Sequence, residues 1–430
     1  MRKGIKRLIW GVAALLLVAM VLLVAMLETA RVELTADGVD RRLLLPLPGV
    51  GRIAVPLYAL GDGHVRIAGH LDGPVVRMQA DGRWQASWFC EDRAVRRNGT
   101  GDVLSLTCAG HRRDLLLRQP APAGDDLAMP AQVAVLSDIE GDDAYLQGIL
   151  RRLAVVDDKG DWAYGRGYLV VLGDVVDRGP DVSGVLWRLH QLALQAQQAG
   201  GAVRLVLGNH DQYALRGNFS RANPRHVYAM GALGGYAQAY GADTLLGQWL
   251  RAQPVALRLG RTLFVHGGIS PQVAFGSNDL AALNRRMREY WQAPRAGDPA
   301  FEPVLGFSGL TQYRGLVEAL EDRYPRATPA EVERALGRFD VDRIVVAHTH
   351  VQRVASLYDG RVLAVNTVRP EALRFDEGRP HIVQTGIGRG DEPKPAPRAR
   401  AFSLSSARDR TLLATAYRQM RRLSALPHPY

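Results

Sequence analysis

The chain has 430 residues, 47% of them apolar and 23% charged, with a formal net charge of +11. That length is too great for one small domain, and the composition excludes a disordered or fibrous chain, so two or more packed units are expected. The charge suits nucleic acid, an anionic membrane surface or a phosphorylated substrate, and selects none of them by itself.

The N-terminus carries Arg2, Lys3, Lys6 and Arg7, followed by a charge-free apolar run from Leu8 to Leu27. At about 1.5 Å per helical residue such a run spans roughly the 30 Å hydrocarbon core of a bilayer. No polar face interrupts it, which argues against a buried core helix. The spacing predicts a transmembrane signal anchor over 8–27, with residues 1–7 as a basic cytoplasmic stub. The remaining chain then lies on the periplasmic or extracytoplasmic side of the inner membrane. The other reading is a cleaved signal peptide, although Glu28-Thr29-Ala30 is a poor cleavage site.

Residues 30–126 contain short apolar stretches separated by the turn signals ADG, LPGVG, GDG, DGR and RNGTGD, which predict a small all-β domain without a catalytic constellation. The only cysteines, Cys90 and Cys108, flank one of these turns, and an even pair in an exported chain predicts a disulfide. Ala121–Asp126 reads as a linker.

From Gln132 strand-like runs alternate with amphipathic segments such as DDAYLQGILRRL and VSGVLWRLHQLALQAQQ. This pattern predicts a layered α/β domain over 131–387. Further strands are read in VASLYD, RVLAVNT and HIVQTG. A polar linker and C-terminal segment cover 388–430, with a short helix at roughly Ser405–Leu423. No helix-turn-helix, zinc finger or aromatic-basic stripe accompanies the positive charge, so no specific nucleic-acid binding is expected.

Five apolar runs each end in potential metal ligands. VAVL leads to Asp138 and Glu140, YLVVL to Asp174, Asp177 and Arg178, VRLVL to Asn209, His210 and Asp211, TLFV to His266, and RIVVA to His348 and His350. Glycines beside these residues let the backbone turn sharply. Carboxylate, amide and imidazole donors suit borderline to hard divalent ions. Two such ions roughly 3.5–4 Å apart can clamp a phosphate and activate water. A guanidinium can grip the remaining phosphate oxygens in a fork.

The series GDVVDRG, GNHD, VHGG and AHTH resembles the calcineurin-like metallophosphoesterases over roughly residues 131–370, and most of all the bacterial and Shewanella-like members of the phosphoprotein phosphatase branch. The resemblance implies a four-layer αββα sandwich and two divalent ions, manganese first among manganese, iron, zinc and magnesium. It implies Asp138 and Glu140 on the first ion, Asp174 bridging both, and Asn209, His266 and His348 on the second. His210 would protonate the leaving alcohol, Asp177 would orient His210, and Arg178 would hold the phosphate. Arg314, within Tyr313-Arg314-Gly315, would also reach the phosphate if it is not an ordinary surface arginine.

The family pattern has histidine where this chain has Glu140. Glu140 is read as a ligand, direct or through water, against a carboxylate that only faces solvent near the site. His350 would supply the imidazole that Glu140 replaces, or else stand outside the ligand shell. His190, His226 and His381 have no motif around them and are read as surface or satisfied core residues.

The expected activity is phosphomonoester hydrolysis, with a phosphoprotein as the first substrate, by water held between the metals. The alternatives are hydrolysis of a phosphoanhydride or diester, such as a dinucleoside polyphosphate or lipid-linked pyrophosphate, and a non-catalytic envelope binding protein.

Overall fold

The computed structural model describes residues 2–35, 38–47, 49, 51–57, 65–294, 297–388 and 398–424. They form two compact units, one within Met1–Ile67 and Glu392–Leu426, the other within Ala68–Asp391.

The smaller unit begins with the helix Arg2–Glu28, so the basic stub is helical and continuous with the apolar run. Its stretch Trp10–Glu28 has a mean hydropathy of 2.7 and is long and apolar enough to cross a membrane. A four-stranded antiparallel sheet follows, in the order Arg398–Ala401, Arg31–Leu34, Arg41–Leu47, Gly51–Pro56. The helix Ala407–Ser424 covers it through Leu412, Leu413 and Ala416, against Val32, Leu43, Val55 and Phe402. Arg400 donates to both carboxylate oxygens of the buried Asp409, tying strand to helix. The C-terminal segment thus supplies a strand as well as the expected helix. Residues 389–397 of the expected linker lie outside the described residues.

The stretch 30–126 is distributed differently from the single β domain expected. Its first strand pairs with the C-terminal strand and the next two extend that sheet, while Leu71–Met78, Arg83–Cys90 and Arg93–Thr100 form a three-stranded sheet in the larger unit. Val103–Cys108 and His111–Leu116 form a hairpin, and Cys90 and Cys108 are disulfide-bonded. Asp126–Leu127, at the end of the expected linker, pairs with Ala256–Leu259. Specific contacts with helices of the larger unit hold this sheet and hairpin there. Trp187 on the helix Val182–Gln198 donates to the Pro74 carbonyl, Phe89 packs edge-on against Tyr228, and Gln191 bonds both the N–H and C=O of Leu116.

Two larger sheets form the centre of this unit. One runs Ala202–Leu205, Tyr168–Val171, Gln132–Leu136, Glu371–Asp376, Arg379–Gln384, and its first three strands are parallel. The other contains Ala355–Leu357, Val362–Ala364, Arg343–Val346, Thr262–Val265, Ala256–Leu259 and Asp126–Leu127. Alternate residues of the second sheet enter different apolar layers. Phe264 and Val345 meet Val133, Val135 and Val170 of the first sheet. Leu263, Val265, Ile344 and Val346 instead meet Leu283, Met287, Val332 and Leu336 of the helices Leu280–Gln292 and Pro329–Phe339. Burial on both faces explains why these strands read as unbroken apolar runs.

Candidate metal centre

Three of the five predicted strand ends leave their strands through left-handed backbone. Asp138, Glu140, Asp174, Asp177, Arg178 and His348 have φ between 48° and 70°, the left-handed region. Each such non-glycine residue costs about 1 kcal/mol or more, and strain of this kind concentrates where side chains must be aimed. The first two turns interlock: the Asp138 N–H donates to Gly173 O (2.9 Å) and the Glu140 N–H to Asp174 O (2.8 Å). Gly173 admits no side chain, because one would run into the Gly208 backbone and His266. Asp211 accepts from the N–H groups of Gly208 (2.8 Å), Asp174 (2.9 Å) and Val175 (2.9 Å), fixing the second and third turns together.

Asp174, His266 and His348, all buried, have ligand atoms within 4.8 Å of one another. The His266 Nδ1–H donates to Leu172 O at 2.6 Å, which turns Nε2 toward Asp174 Oδ2 (3.2 Å) and Asn209 Oδ1 (3.1 Å). Oxygen acceptors therefore converge on an imidazole whose other nitrogen is already committed, an arrangement completed by a cation at Nε2. Burial opposes a positive charge on His266, but Asp174 outweighs it and raises the imidazole to about 9, so this position favours a cationic partner for the carboxylate. Burial and the neighbouring His266 push His348 well below the ordinary histidine value, which leaves it neutral, the form in which imidazole binds metal. For Asp174, burial is outweighed by His266 and His210, which hold its carboxyl far below the usual range. The donor set fits a divalent ion.

A second group, Glu140, Asp174 and His210, meets the same 4.8 Å limit. Glu140 also forms an ion pair with Arg178, whose Nη1 lies 3.1 Å from Oε1 and 3.3 Å from Oε2. His210 donates its backbone N–H to Asp174 Oδ1 (2.9 Å), and its Nδ1 lies 2.9 Å from Asp177 Oδ2. Its Nε2 is 4.0 Å from Asp174 Oδ2. Burial opposes protonation of His210, but Asp174 and Asp177 together raise its pKa. A histidine so poised can donate a proton.

Asp138 is buried but outside both groups; its Oδ1 accepts from Asn366 Nδ2 (2.9 Å), which also donates to His348 O (3.2 Å). Arg314 reaches the same place, with Nη1 3.3 Å from His348 O. His350 is exposed and lies outside both groups. Of the histidines without motifs, His381 is near Asp376 (3.3 Å) at the surface, His190 is buried between Trp187 and Trp249, and His226 is buried against Asp72 and Tyr240.

Two residues in this network were missed from the sequence. Asn366 follows the apolar strand Val362–Ala364, so the strand-end rule applied once more would have found it. Tyr236, whose hydroxyl donates to Asp177 Oδ1 at 3.3 Å, gave no signal, since it lies in a short helix with no motif around it.

Strand ends from two apposed sheets, converging on buried carboxylates and imidazoles, define a metal-dependent phosphoesterase. The family model for calcineurin-like phosphoesterases matches residues 131–352, and the chain belongs to that family, whose members hydrolyse phosphoric esters with metal ions. A solved cold-active protein-tyrosine phosphatase of a psychrophilic Shewanella is 30% identical, with a TM-score of 0.65, covering 73% of this chain and 100% of that one. Shewanella-like protein phosphatase 1 of Plasmodium berghei is 25% identical over 52% of this chain and 63% of its own length. The symmetrical bis(5'-nucleosyl)-tetraphosphatase of Paracidovorax citrulli is 32% identical over 48% of this chain and 69% of its own.

Proposed function

We propose that this protein is a membrane-anchored phosphomonoesterase, with 131–387 as a four-layer catalytic domain on the periplasmic or extracytoplasmic side of the inner membrane. Asp138, Glu140, Asp174, Asn209, His266 and His348 would hold two divalent ions, manganese first among the candidates. His350, being exposed, is the weakest candidate ligand. The observation that carries the reading is the His210–Asp177 pair, 2.9 Å apart, set against the same Asp174 that faces His266.

When bound, the ions would supply charge neutralisation and a more acidic water. The chain's own residues do the rest. Arg178 presents a half-exposed guanidinium to the phosphate, and its ion pair with Glu140 sets its direction. Arg314 approaches from the His348 side. His210 gives a proton to the departing oxygen, and Asp177 holds the imidazole with Nδ1 protonated and Nε2 aimed outward.

That proton donor favours an ester over an anhydride. An alcohol leaves poorly as its anion, whereas a nucleotide phosphate leaves well without a proton. The tyrosine phosphatase likeness supports a phosphoprotein substrate, and the tetraphosphatase likeness keeps anhydride hydrolysis as the second reading.

The test uses the full chain in detergent, freed of metal and titrated separately with manganese, magnesium, zinc and iron. Metal-dependent hydrolysis of p-nitrophenyl phosphate, with little on bis-p-nitrophenyl phosphate or diadenosine tetraphosphate, is the expected result. Preferential cleavage of the tetraphosphate would replace the ester reading. Glu140→His should move the metal preference away from manganese and magnesium; an unchanged preference would restrict Glu140 to holding Arg178.

A further inference from the structure

We propose that Tyr236 is a positioning residue for proton transfer: its hydroxyl fixes Asp177, and through Asp177 the imidazole of His210. The inference rests on the reading of His210 as the proton donor.

Asp177 is completely buried, and its two oxygens have different partners. Oδ2 accepts from His210 Nδ1 (2.9 Å) and Oδ1 from the Tyr236 hydroxyl (3.3 Å). A carboxylate gripped at both ends cannot swing, so the imidazole bonded to it keeps one orientation. Burial pushes the Asp177 carboxyl up, so each hydrogen bond to its ionised form helps retain the charge that His210 needs. Burial and the Asp177 charge push the Tyr236 phenol well above its ordinary value, so it remains a donor.

The support of Tyr236 extends beyond the catalytic segment. Its ring lies edge-on to His226 (5.6 Å) and packs against Tyr240 (5.1 Å). His226 is itself fixed on both nitrogens, Nδ1 at 2.7 Å from Asp72 Oδ2 and Nε2 at 2.7 Å from the Tyr240 hydroxyl. Asp72 and His226 are fully buried. Asp72 belongs to the strand Leu71–Met78, which precedes the segment 131–352 matched to the family. The disulfide-bearing sheet therefore braces the aromatic wall from which Tyr236 reaches Asp177. This gives residues 71–100 a part in the chemistry without a residue touching substrate.

The experiment compares two substrates on the full, metal-loaded chain. Phenyl phosphate releases a basic phenolate and needs the proton; 2,4-dinitrophenyl phosphate does not. Tyr236→Phe, which removes only the hydroxyl, should lower kcat on phenyl phosphate about tenfold while changing the dinitrophenyl ester by less than about twofold. KM, bound metal and Tm should stay near wild type. Asp72→Asn should show the same selectivity, more weakly. His210→Ala is the control and should show the largest selectivity. If His210→Ala is selective but Tyr236→Phe lowers both substrates equally, or neither, the Tyr236 inference is overturned alone. If His210→Ala is itself unselective, the proton-donor reading fails and takes the Tyr236 inference with it.

Discussion

The Asp174 carboxylate accepts from the His210 backbone through Oδ1 and faces His266 through Oδ2. Asp174→Asn keeps an acceptor for the His210 N–H but removes the charge. Bound metal should fall and turnover drop by about 100-fold or more with the fold intact, read by metal analysis and circular dichroism. His210→Ala should do the opposite, lowering turnover by about 10²–10⁴ while bound metal stays near wild type. Loss of both metals in that variant would make His210 a ligand, as its closeness to Glu140 and Asp174 permits. A third prediction concerns stability. Asp181 caps the helix Val182–Gln198 by accepting from the Gly184 N–H (2.9 Å), and burial with the Asp143 and Asp72 charges raises it to about 6. Between its unfolded value of 3.8 and about 6 the folded chain binds more protons than the unfolded one, so stability present at low pH is lost as pH rises through that window. Asparagine caps equally well. Asp181→Asn should therefore melt higher than wild type at pH 7.5, by up to roughly 3 kcal/mol, and lose that advantage at pH 4.

Among the elements, the hairpin Val103–Cys108 and His111–Leu116 is tied to the neighbouring sheet by the Cys90–Cys108 bond, which joins residues 18 positions apart in the chain. Neither thiol should react with an alkylating reagent before reduction. Replacing both cysteines by serine should cost about 3 kcal/mol of stability, visible in denaturant melts. If the Tyr236 inference holds, that variant should also lose turnover on phenyl phosphate in excess of its loss on the dinitrophenyl ester. The strands of the larger unit were legible because apolar runs bounded by Gly, Asp and His are a local pattern. The helices Asp143–Arg152 and Val182–Gln198 were legible from their apolar spacing. The pairing of Arg31–Leu34 with Arg398–Ala401 was not, since nothing local marks which of several short polar-faced strands meets which.

For the whole molecule, the apolar helix predicts that the full chain sediments with membranes and resists carbonate extraction. Release by carbonate, or a purified chain beginning near Ala30, would favour a cleaved leader. Sequence by itself determined the family, the order of the five strand ends and the residue types that could bind metal, because each strand end is a short motif whose chemistry travels with it. It also determined that Cys90 and Cys108 were the only cysteines available to pair. Tertiary structure alone decided that strand ends from separate sheets face one another, that Asn366 ties Asp138 to His348, and that Tyr236 reaches Asp177. Those contacts join residues far apart in the chain, held by sheet packing and aromatic contacts that leave no periodic or local trace. For the same reason, the assignment of Asp72 to the support of His226 could be made only once both were seen buried with Asp72 Oδ2 2.7 Å from His226 Nδ1.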